Sequence, residues 1–92
     1  MTEEFVEAVY DTLCGDLEDW ACVPGVENAF AEGSFCDQRY HLIYEACKRL
    51  YERLGVEDDR DVGEILREWM SIAKELGMKM FLYGMQFANK KT

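Results

Sequence analysis

A chain of 92 residues with 49% hydrophobic and 13% aromatic side chains makes a single domain, residues 1–92, with enough apolar material to fold despite its charge. Its net charge of −9 repels phosphate backbones and anionic lipid, so neither nucleic acid nor a membrane is an expected partner. No apolar run reaches the roughly 18 residues of a membrane span, and the acidic start lacks the basic stretch of a signal peptide; the expected location is the cytoplasm.

In chain order, a first helix is predicted near 3–14. Glu3, Glu4 and Glu7 complement the positive end of its dipole, Thr2 is its N-cap, and Val6, Val9 and Leu13 share one face. Gly15 either ends this helix or is passed through, with Asp16 capping a further turn; on both readings Trp20 packs against the core. From Cys22 to Gly33 the periodicity lapses around the Pro24-Gly25 turn signal. Val23, Val26, Ala29 and Phe30 make this stretch a packed connection, and as a loop on a rigid scaffold it is also the first choice for a ligand contact.

Ser34 followed by Asp37 forms a capping box that opens a second helix, 34–54, with Cys36, Tyr40, Ile43, Cys47, Leu50 and Leu54 along one seam. Tyr44 and Tyr51 widen that stripe, and Gly55 suits the left-handed position that ends a helix. Asp61 with Glu64 caps a long helix, 61–88, roughly 40 Å in length. Its seam, Val62, Leu66, Trp69, Ala73, Leu76, Met80, Tyr83 and Phe87, alternates steps of four and three without a miss. The fold class is therefore all-α: a three-helix bundle built on an antiparallel helical hairpin with a long C-terminal helix. Counting from the loop, Leu54 faces Val62, Leu50 faces Leu66, Cys47 faces Trp69, Ile43 faces Ala73, Tyr40 faces Leu76 and Cys36 faces Met80. Large residues oppose small ones in two of these layers.

Motifs that carry chemistry are weak. Glu57, Asp59, Asp61 and Glu68 echo the spacing of a calcium loop, but Val62 stands where its glycine belongs. His41 has Asp37 and Glu45 four residues to either side, one line of ligands where a bundle metal site needs several helices. Cys14, Cys22, Cys36 and Cys47 lack paired Cys-x-x-Cys spacing, so they are read as reduced thiols behaving as small hydrophobes. No catalytic residue, metal ligand or cofactor is assigned.

The segments 23–30 (VPGVENAF), 53–58 (RLGVED) with Asp61-Val62, and 79–84 (KMFLYG) resemble a group of short hypothetical proteins of gut-dwelling Firmicutes. The resemblance spans nearly the whole chain and implies a small bacterial cytosolic protein.

The surplus of the sequence lies in apolar helical surface, which points to a non-enzymatic interaction module that self-associates or binds a protein partner. The expected interface is Met78, Phe81, Leu82 and Met85, off the seam on the overhanging end of the long helix, gripped by a twofold homodimer or a hetero-partner. Gly77 and Gly84 on one flank would let another backbone approach. The alternative is a small-molecule or metal binder, conceivably an enzyme, with a pocket between Trp20, Phe30, Tyr40 and Tyr83 near Cys22 or Cys36. An acidic mimic of nucleic acid is a third class, weakened by the lysines and arginines that interrupt the charge.

Overall fold

The computed structural model describes residues 2–90. It is all-helical, with α1 at Glu3–Leu13, a 3₁₀ turn at Asp19–Ala21, α2 at Phe35–Leu54 and α3 at Arg60–Lys90; the described residues contain no strand. Three helices with a long C-terminal one are what the spacing predicts.

The helix ends follow local chemistry. Thr2 Oγ1 accepts from the Phe5 N–H at 3.1 Å and starts α1. Ser34 Oγ accepts from the Asp37 N–H at 3.1 Å and starts α2, while the Asp37 carboxylate reaches back to the Gly33 N–H at 2.9 Å, one residue beyond the reciprocal partner of a standard box. At the other end of α2, Gly55 sits at φ 71°, and the Gly55 and Val56 N–H groups return to the carbonyls of Glu52 and Tyr51 in a Schellman arrangement. The cap of α3 differs from expectation. Asp59, not Asp61, accepts from the Val62 N–H at 3.3 Å, so Asp61 falls inside the first turn and the helix gains a residue at its start. Its 31 residues span about 46 Å.

Packing departs further from the expected hairpin. Close helix–helix contact is made by α1 on α3. Gly77 is the seat of this contact: a Cβ there would lie 2.7 Å from the Tyr10 ring, so a larger residue would have to displace the tyrosine. Lys74 on the same flank reaches Asp11 at 3.2 Å and Glu7 at 3.7 Å. Val6 is 2% exposed and Thr12 3%. Thr12 Oγ1 donates to the Ala8 carbonyl at 2.7 Å and accepts from the Val23 N–H at 3.0 Å, which fastens the 14–34 connection onto α1. The Ala29 N–H donates to the Leu13 carbonyl at 2.7 Å for the same effect.

Between α2 and α3, burial is partial near their connection and lost beyond it. Val62, Leu66, Cys47 and Leu50 are half-buried, whereas Leu54, beside the connection, and Tyr40, Ile43, Trp69, Ala73, Leu76 and Met80 are exposed. The outer layers expected from the sequence therefore do not close within the chain. The 55–59 connection is pinned at both ends, by the Schellman turn and by Asp59, and this fixes the directions in which the two helices leave it. The resulting shape is open: the Cα radius of gyration is 16.6 Å, against about 12 Å for a compact domain of this length.

Candidate interaction surface

Where α1 covers it, α3 presents Lys74, Gly77, Met78 and Phe81; a second, apolar face of α3 stays uncovered. Trp69 is 65% exposed and Met80 71%, and Leu76, Tyr83 and Phe87 continue the same face, with the Tyr83 and Phe87 rings stacked at a centroid distance of 6.2 Å. Ile65 and Ile72, seven residues apart, widen the stripe beside Trp69 and are also exposed. The expected seam did not include them. Their signal was present in their spacing, each lying three or four residues from a seam position. On α2 the corresponding open face is Tyr40, Ile43 and Tyr44.

Of the four residues expected at an interface, Met78 and Phe81 are half-buried on the flank of α3 that carries Lys74 and Gly77, where the chain's own α1 lies. Leu82 and Met85 remain exposed, at 47% and 40%. Gly77 admits Tyr10 from within the chain, while nothing lies within 4 Å of a Cβ built on Gly84. Sequence spacing located an apolar excess here but could not say which flank α1 would occupy, because both flanks are apolar.

The residues expected to line a ligand pocket are not gathered into one. Phe30 and Tyr40 meet edge to face at a centroid distance of 6.5 Å. Tyr83 pairs instead with Phe87. Trp20 is 88% exposed, against the expectation that it packs in the core: the 3₁₀ turn at Asp19–Ala21 presents its indole to solvent. Two depressions among the described residues are open ones, along α1 at Glu3, Glu7 and Asp11 and on α2 at Arg49, Glu52 and Arg53.

Three titratable groups perturbed by their surroundings cluster at α1, and a fourth, Tyr51 on α2, is raised separately by burial and then by Asp58. Burial, then the Cys14 side chain it hydrogen-bonds, pushes the Tyr10 hydroxyl up to about 12. Burial likewise raises the Cys14 thiol; the Tyr10 hydrogen bond opposes this, and Asp16 and Asp11 add to it. Burial alone would lower the Lys74 ammonium, but the Asp11 and Glu7 carboxylates outweigh it and leave the group above its ordinary value. The Tyr10, Cys14 and Lys74 shifts belong to one packed contact, with the thiol kept protonated. His41 pairs with Asp37 at 3.4 Å in the open, and no group of three metal-binding side chains converges among the described residues. All four cysteines are free and half-buried.

No protein-family model, curated protein or solved structure matches this chain. No helix among the described residues is long and apolar enough to cross a membrane.

Proposed function

We propose that this chain is a small non-enzymatic protein-interaction module, working through the uncovered apolar face of α2 and α3. One observation carries this reading: the chain exposes 7768 Å², whereas a compact monomer of 10.7 kDa exposes about 5,500 Å². Large apolar side chains supply much of the excess, Trp69, Leu76 and Met80 among them. A face of large apolar side chains left open in this way marks a contact with another protein.

Acidity supports the exclusion of nucleic acid. No lysine or arginine precedes Arg39, so α1 and the 14–34 connection form an uninterrupted negative region that would repel a phosphate backbone. Four free thiols agree with the reducing cytoplasm as the place of action.

Small-angle scattering with a mass measurement tests the proposal. A radius of gyration near 16 Å for a monomer, or a larger assembly, is the expected result. A monomer that has closed to about 12 Å, with no binding of an apolar dye, would show that the surface is hidden within the chain and would end this reading.

A further inference from the structure

The excess surface of about 2,300 Å² per chain, 7768 Å² less roughly 5,500 Å², matches the share that each partner gives to an obligate homodimer interface. It is not spread evenly. The outer halves of α2 and α3 hold two open stripes that complement each other in size: Ile43 suits Ala73, and Tyr40 suits Leu76. Within one chain these stripes stay apart, because the pinned 55–59 connection holds the helices as a wedge that is half-closed only at its base.

We infer that the partner is a second copy of this chain, related by a twofold axis, with the outer stripe of each α2 laid on the outer stripe of the partner's α3. The inference rests on the proposed interaction role and adds the occupant and the register. A twofold axis makes both contacts at once and leaves neither stripe unpaired.

Charge distribution favours this occupant. The acidic excess is confined to the region before Arg39 and to Glu57, Asp58 and Asp59. Along α2, Arg39, Lys48, Arg49 and Arg53 offset Asp37, Glu45 and Glu52. On α3, Arg60, Arg67, Lys74, Lys79 and Lys90 offset Asp61, Glu64, Glu68 and Glu75. Two copies can therefore meet along α2 and α3 without bringing their acidic regions face to face. A basic partner would be drawn to α1 and its loop, away from the open stripes of α2 and α3.

The experiment uses the full chain. Sedimentation should show a dimer at micromolar concentration, and in a Trp20→Phe background the emission of Trp69 should move to shorter wavelength as the dimer forms. Ala73 and Ile43 are exposed in the single chain, so Ala73→Glu or Ile43→Glu should raise the dimer dissociation constant about a hundredfold by burying a charge. Register is read by mixing: Ile43→Ala makes room that Ala73→Phe fills. Native mass spectrometry of the two mixed variants should give the hetero-pair above the roughly one-half of random pairing. If either single variant fails to fold, the double variant carrying both changes in one chain should still dimerise.

A dimer that ignores both glutamate substitutions and mixes at random would overturn this arrangement while leaving the interaction role standing. An open monomer at high micromolar concentration, with a radius of gyration near 16 Å, would overturn the second copy as occupant but keep the role for another partner. A closed monomer would remove both.

Discussion

The two flanks of α3 are made in opposite ways. On the α1 side, contact depends on a missing side chain at Gly77, an aromatic ring seated in the space, and a lysine held between two carboxylates. Across the helix, the stripe through Trp69, Leu76 and Met80 is richer in apolar area but lies open. Hydrophobicity alone therefore did not choose which face α3 buries within the chain. Steric fit and chain connectivity chose it: α1 fits the flank with the gap, and the short capped connection before α3 keeps α2 from closing over the stripe.

The contrast can be broken most directly at Thr12. Thr12→Val keeps the shape but removes the acceptor for the Val23 N–H in a site 3% exposed, leaving that donor unpaired. Urea unfolding at fixed protein concentration should show a loss of about 1–3 kcal/mol, and an unchanged midpoint would mean that the connection is not held there.

Glycine substitutions sharpen the comparison with opposite signs. Gly77→Ala places a methyl 2.7 Å from the Tyr10 ring, and overpacking of this kind costs about 1–3 kcal/mol, more than the gain in helix propensity of about 1 kcal/mol. Gly63→Ala meets only the Arg67 guanidinium at 3.7 Å and should stabilise by roughly 0.5–1 kcal/mol. Thermal melts of the pair that move in the same direction would show that α1 does not rest on Gly77.

Alkaline pH acts on the α1 side through Lys74 and Tyr10. Lys74 and Tyr10 both titrate above their unfolded values of 10.5 and 10.0, Tyr10 at about 12. The folded state thus holds its protons longer than the unfolded chain does. The stability these groups contribute is complete below about pH 10 and falls as the pH climbs towards 12. Melting temperature should decline over that window, and Tyr10→Phe should flatten the decline; an unaltered slope in the variant would remove Tyr10 as its source.

Smallest of all is Trp20→Ala. With the indole 88% exposed, loss of the side chain should change stability by less than about 0.5 kcal/mol. A cost of several times that would restore Trp20 to the core that spacing assigns it.

Much of this molecule is written in short-range signals. Thr2, Ser34 and Gly55 each satisfy backbone groups within a few residues of themselves, so the starts of α1 and α2 and the end of α2 can be read directly from the chain. The seam on α3 is equally legible as a stripe, since heptad spacing sets which residues share a face whatever lies opposite. The start of α3 was harder, because Asp58, Asp59 and Asp61 compete for one cap and the backbone decides among them.

The sequence by itself determined the helices, their apolar stripes and the acidic character of the region before Arg39. Tertiary structure alone decided which stripe is covered. A stripe records that a surface is apolar but not what meets it, and α3 carries apolar side chains on more than one flank. Tyr10 and Gly77 are separated by most of the chain, and nothing in either one's neighbourhood announces the other. The same holds for Trp20, which lies outside the core although its hydrophobicity assigns it there, while Thr12 and Leu13 bind the later Val23 and Ala29 by hydrogen bonds.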